Sequence, residues 1–194
     1  MRTIAALTLM FFTTPAFAGG IGLIGQGGVH SARAYYYSES GQQGIDNQIR
    51  PNFGGGMEVL LGDSSDRIQG IIRLYANLDA PLNDPETEGI SQDEAIFPAA
   101  SEVGLRTDGV CTMGVQWGLL GDPDGTQLIL TSLIGSAFIT RDNLEYLVAE
   151  VGIGGTYTIN NQLQFFGTLN VAGRYRKRVS HTEGAFVGVR YMFD

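Results

Sequence analysis

The strongest constraint on this chain lies in residues 145–193, where three long runs alternate residue by residue. They read EYLVAEVGIGGTYTI, then QLQFFGTLNVAGRYRK after Asn160-Asn161, then EGAFVGVRYMF. Alternation at period two means a β-strand with two unlike faces. In the second run Leu163, Phe165, Leu169, Val171 and Tyr175 share a face. Gln164, Thr168, Asn170, Arg174 and Arg176 share the other, with Phe166 as an apolar exception. In the third, Ala185, Val187, Val189, Tyr191 and Phe193 lie opposite Arg190. These runs far exceed the roughly five or six residues of an ordinary strand. Length, alternation and aromatic ends together predict strands that cross a lipid bilayer in a closed barrel.

The chain begins with the order of a secretory signal. Arg2 is followed by the apolar stretch IAALTLMFF and by Ala16-Phe17-Ala18, an A-x-A cleavage site. Residues 1–18 are therefore read as a signal peptide that is removed, and 19–194 as one barrel domain. No Cys follows the cleavage site, so no lipoprotein anchor is indicated. Only 16% of the residues are charged, 43% are hydrophobic and 28 are Gly, a balance that suits a wall with lipid on one side and packed polar groups on the other. The single Cys111 cannot make an internal disulfide, so closed strand hydrogen bonding must hold the fold. A net charge of −8 argues against nucleic acid as a partner.

Eight strands are predicted. They fall within 20–37 and at about 53–61, 67–78, 105–120, 126–139, 145–159, 162–177 and 183–193. The second puts Phe53, Met57, Val59 and Leu61 opposite Glu58; the third puts Ile68, Ile72, Leu74 and Leu78 opposite Gln69, Arg73 and Asn77. The fourth puts Cys111, Met113, Val115, Trp117 and Leu119 opposite Thr112, Gly114 and Gln116. Glycines blur the faces of the first, and the fifth is apolar on both. Turn-forming residues at 62–66, 121–125 and 160–161 mark every second connection as tight. With an even strand count, those three face the periplasm. The other four connections face outward, and two of them, 39–50 and 79–104, are expected to be long loops.

The pattern resembles the small eight-stranded bacterial outer-membrane barrels of the OmpA/OmpX/OmpW-like class. The likeness covers 19–194 and rests on pattern. It implies an all-β, eight-stranded antiparallel up-and-down transmembrane barrel in a bacterial outer membrane. Its implied partners are outer-membrane lipid, lipopolysaccharide and the outer-membrane assembly machinery. In that family the closing strand ends in an aromatic residue that the machinery reads; here Tyr191-Met192-Phe193 supplies it, followed by Asp194. The competing fold is a soluble lipocalin-like or streptavidin-like barrel, apolar inside and polar outside.

Three groups of residues are candidate sites. Glu58, Arg73, Glu150, Arg174 and Arg190 fall on the predicted lumen face, as an ion-pair network that plugs the barrel or as a gate in a narrow channel. Eight strands leave no room for a wide pore. Residues 79–102 carry seven acidic residues and no Lys or Arg; Asp84, Glu86, Glu88, Asp93 and Glu94 form the heart of this acidic surface loop. Asp84-x-Glu86-x-Glu88-Gly89 resembles the start of a calcium loop, but its twelfth position is Ala95, so no metal site is assigned. Arg176, Lys177 and Arg178, at the outward end of the seventh strand, are placed to contact lipopolysaccharide phosphates. The two histidines give no catalytic triad: His30 and Ser31 are adjacent and point to opposite faces, and His181 with Glu183 has no partner Ser in sequence. The Gly-rich start is not followed by a strand–loop–helix unit, so no cofactor is expected and no enzyme is assigned. The expected role is structural or interaction-based: envelope integrity, surface binding, or membership of an envelope complex with a protein partner. A narrow channel or carrier for a small solute is the alternative.

Overall fold

A computed structural model describes residues 20–37, 43–62, 66–79, 86–88, 106–139, 144–160, 162–175 and 179–193. Eight long strands form the wall: β1 (Ile21–Tyr37), β2 (Gln43–Leu61), β3 (Ile68–Asp79), β5 (Arg106–Gly121), β6 (Thr126–Ile139), β7 (Leu144–Thr158), β8 (Leu163–Tyr175) and β9 (Val179–Phe193). A three-residue strand, β4 (Glu86–Glu88), adds to the outer end of β2. Each long strand pairs antiparallel with its neighbours in sequence, and β1 closes the circle on β9. The expected up-and-down barrel is therefore the fold.

The stagger follows from the register. Partners lead from Ser31 through Glu183, Val171, Val151, Ser132, Val115 and Gly70 back to β2 at Leu61, whereas Ser31 itself faces Ile49. Twelve residues of β2 separate the two arrivals. Such a stagger over eight strands requires steeply tilted strands around a lumen that side chains fill.

Local chemistry sets the periplasmic turns. Gly62 and Gly121 take positive φ, 113° and 95°, a backbone region costly for residues with a Cβ. The Asp122 carboxylate accepts from the Asp124 N–H at 3.0 Å, and the Asn160 side-chain oxygen accepts from the N–H groups of Gln162 and Leu163 at 3.0 and 2.8 Å. These are the side-chain-to-backbone turns that Asp and Asn favour. A bulge between Gly118 and Leu120 breaks the alternation of β5 and leaves both Leu119 and Leu120 exposed.

One expectation is corrected. The segment 39–50 is not a long loop: β2 begins at Gln43 and pairs with β1 as far as Tyr37. Its residues, QGIDNQIR, offer only Ile45 and Ile49 as apolar positions, too few to mark a strand clearly. Backbone pairing continues there although the amphipathic signal is weak. Part of the expected loop at 79–104 is likewise strand, since Glu86, Thr87 and Glu88 face Asn47, Asp46 and Ile45.

The lumen is packed by seating large side chains over glycines on the paired strand. Phe166 faces Gly188, Phe186 faces Gly28, Asn77 faces Gly54 and Asn170 faces Gly152. A Cβ added at any of these glycines would come under 3.0 Å from its partner's side chain. Much of the chain's high glycine content is thus room for the lumen's bulky residues.

Candidate functional site

The wall's two faces show what solvent each side meets. Large apolar residues point outward and are about half exposed: Phe53, Leu74, Ile134, Val151, Leu169 and Val187 among them. On β7 the outward apolar positions run from Leu147 to Tyr157, a height of ~24 Å for strands tilted near 45°. Tyr157, Phe165, Tyr191 and Phe193 ring the periplasmic end, and Phe138 and Tyr175 the outer end. Inside lie His30, Arg50, Asn52, Glu58, Gln69, Asn77, Asp79, Gln116, Gln127 and Arg190, all buried. Apolar outside and charged inside is the reverse of a lipocalin-like barrel. The chain is an outer-membrane β-barrel. No helix among the described residues is long and apolar enough to cross a membrane; the strands do so.

Toward the periplasmic end of the lumen, Glu58 lies between two guanidinium groups. Alternation along β2 turns its side chain inward, where it is fully buried. Arg73, its cross-strand partner on β3, pairs with one carboxylate oxygen and Arg190 on β9 with the other. Arg190 also donates to the Gln164 side-chain oxygen and lies 6.0 Å over the Phe166 ring. One carboxylate shared by two buried cations leaves a positive excess, which the Gln164 oxygen and the face of the ring offset. Phe166, the apolar exception of its strand face, therefore has a place in this cluster.

A second ionic cluster lies where β3 ends, on the three adjacent strands β1, β2 and β3. Asp79, the last residue of β3, accepts two hydrogen bonds from Arg50, from Nε at 3.0 Å and from Nη2 at 2.8 Å. His30 Nε2 lies 3.4 Å from the other Asp79 oxygen, and its ring meets Phe186 edge-on at 6.3 Å. All three polar side chains are buried. Sequence reading missed this group because Arg50 and Asp79 fell at the edges of segments assigned to loops. Carrying the alternation on from Glu58 through Asn52 to Arg50, and from Arg73 through Asn77 to Asp79, would have put both in the lumen.

The lumen also holds a small chamber of ≈ 40 Å³. Glu150 and Arg174 line it together with Asn52, Tyr75, Asn77 and Asn170. Asn170 donates to the Glu150 carboxylate at 3.0 Å. Of the five predicted lumen charges, then, Glu58, Arg73 and Arg190 meet directly, while Glu150 and Arg174 share the chamber above them.

The other predicted sites fall largely elsewhere. Arg176, Lys177 and Arg178 lie outside the described residues, as do Asp84, Asp93, Glu94 and residues 1–18, read from the sequence as a signal peptide. Glu86 and Glu88 are in β4. His30 is in the lumen and Ser31 on the opposite face; Glu183 is exposed on the outer wall, two residues along β9 from His181. Among the described residues no three His, Cys, Asp or Glu side chains gather to hold a metal.

No protein-family model matches the outer-membrane barrel, and no curated protein matches it. Among solved structures it is similar to Neisserial surface protein A, at 10% identity over 88% of this chain and 97% of that one, with a TM-score of 0.45. It is also similar to Ail, the attachment invasion locus protein of Yersinia pestis (12% identity, 89% and 99% covered, TM-score 0.33). The outer membrane protease OmpT of Escherichia coli is a third such structure (11% identity, 93% and 99% covered, TM-score 0.31). The barrel assignment itself stands on strand register and on the two faces of the wall.

Proposed function

We propose that the outer-membrane barrel serves the envelope from its outward surface and not as an open pore. The observation that carries this reading is two groups of buried ion pairs in the lumen, Arg73–Glu58–Arg190 and Arg50–Asp79 with His30. Buried pairs of this kind hold firmly, because separating them strands a charge in a low-dielectric interior. The outward end, by contrast, carries extra structure: the β1–β2 ribbon outlasts β3, and β4 adds to it. A structural or binding role, in envelope integrity or in a complex with an envelope protein, uses that end. No catalytic step is assigned.

In this reading Asp84, Glu86, Glu88, Asp93 and Glu94 belong to the binding segment, and Arg176, Lys177 and Arg178 hold lipopolysaccharide phosphates at the rim. Deleting residues 81–98 abolishes partner binding, while the barrel still folds and still changes gel mobility on boiling in SDS. In planar bilayers the wild type is silent, and single Arg73→Ala or Arg190→Ala variants remain silent because the Arg50–Asp79 pair and His30 still occupy the lumen. A clear conductance increase from either variant would replace this reading with the narrow channel, which the chamber in the lumen favours.

A further inference from the structure

We propose that the outer wall holds a seat for one amine-bearing membrane lipid, with its acyl chain in a groove over β7 and β8 and its ammonium group on Glu183 of β9. The groove is an open space of ≈ 720 Å³ on the lipid-facing side. Gly155 and Gly167, cross-strand partners on β7 and β8, form its floor, and Leu128, Ile153, Leu169 and Val187 stand around it. These two glycines differ from those of the lumen. A Cβ added at either would meet nothing nearer than 3.8 Å, so no protein atom requires the missing side chain. Glycine inside a strand weakens it and often marks a place where a ligand comes close. Width selects the occupant. Ile153 and Tyr157 bracket Gly155, and Phe165 and Leu169 bracket Gly167, each pair four residues apart. Four residues span roughly 13 Å of strand. Less the bulk of the bracketing side chains, that gap takes a hydrocarbon chain and excludes a helix about 10–12 Å across.

The headgroup follows from charge. From the groove the outward positions of β9 lead through Ala185 to Glu183. Glu183 is exposed on the lipid side, faces Ser31 in register, and has no ion-pair partner among the described residues. Arg33 of β1 faces His181 in register and not Glu183. Val171, the partner of Glu183 on β8, lies four residues inside Tyr175 of the outer aromatic ring, so the carboxylate meets lipid just inside that ring. A carboxylate withdrawn from water without a cation is costly. The lipid supplies one: an ammonium head pairs with Glu183, with the Ser31 hydroxyl as a second acceptor, and the chain beneath it descends past Ala185 into the groove. Phosphatidylethanolamine and lipopolysaccharide with amine-substituted phosphates both offer this chemistry. The seat lies on the wall, so it is independent of whether the lumen conducts.

The test places the barrel in phosphatidylcholine vesicles doped with phosphatidylethanolamine that carries a benzophenone at the end of one acyl chain. After illumination, mass spectrometry maps the attachment. It is expected to concentrate around Ile153 and Leu169, severalfold above Leu74 and Met113 on β3 and β5. Glu183→Gln is expected to abolish the preference for this probe over the matching phosphatidylglycerol one, while the barrel still shifts its gel mobility on boiling. Gly155→Leu with Gly167→Leu is expected to drive attachment off this sector; if that pair fails to fold, Glu183→Gln decides alone. Attachment spread evenly over the outward apolar positions, or equal attachment of both probes to the wild type, would overturn the proposal. A wild-type dimer in vesicles that Gly167→Leu dissolves would also overturn it, giving the groove to a second copy of the chain. Unlabelled phosphatidylethanolamine and amine-substituted lipopolysaccharide serve as competitors. The one that displaces the probe is the source of the amine, and displacement by neither would overturn the seat.

Discussion

The Glu58 cluster and the Asp79 cluster use the same chemistry at two depths, yet they brace the barrel differently. Glu58, three residues before the end of β2, draws together β2, β3 and β9, with β1 bridging β9 and β2 in the wall. Asp79 sits at a strand end and ties only β1, β2 and β3, which are already neighbours. The first cluster therefore joins the two ends of the chain's strand order across the lumen. The second tightens one sector of the wall. Which strands a charge reaches decides whether it links distant parts of the strand order or tightens neighbours.

The largest expected effect tests that difference directly. Glu58→Ala strands two buried guanidinium groups and is expected to cost roughly 3–5 kcal/mol in urea unfolding from lipid vesicles, or to prevent folding. Asp79→Ala strands one guanidinium, and roughly 2–3 kcal/mol is expected by the same reasoning. The reverse order would break the comparison. Gly188→Ala pushes a Cβ into the Phe166 ring that backs Arg190 and is expected to cost roughly 1–3 kcal/mol through overpacking. Eight residues of β2 separate Glu58 from Arg50, ~26 Å of strand, so Arg73→Ala and Arg50→Ala should be additive within about 0.5 kcal/mol. A larger coupling in the double-mutant cycle would mean that one network, not two, fills the lumen. As the baseline, Ser136→Ala removes an exposed 3.2 Å bond to Glu145 and should stay within about 0.5 kcal/mol.

The same difference explains what could be read in advance. Glu58, Arg73 and Arg190 were legible because each breaks a run whose outward face is unambiguously apolar. Asp79, Arg50 and His30 were not. His30 sits in a strand whose glycines hide its faces, and Arg50 closes a mostly polar segment with only Ile45 and Ile49 to mark an outward face. The alternation on which the reading depends is strongest where one face is pressed against lipid. With so few apolar residues, the first part of β2 passed for a loop. The fifth predicted strand, β6, was ambiguous for the opposite reason. Ile129, Leu133 and Ala137 face the lumen and are buried, so both of its faces are apolar.

By itself the sequence determined the eight wall strands, their alternation and the tight turns; which face meets lipid came from the exposed and buried faces of the closed barrel. The strands and turns depend on local period and on residues within one turn, which a linear pattern records. Only the tertiary structure decided the stagger that sets the lumen's width, and which charges meet across it. It also decided which glycine each large side chain overlies and where the chamber lies. Those features arise when eight tilted strands close on one another, and the register of the closing pair, β1 on β9, is a property of neither strand alone.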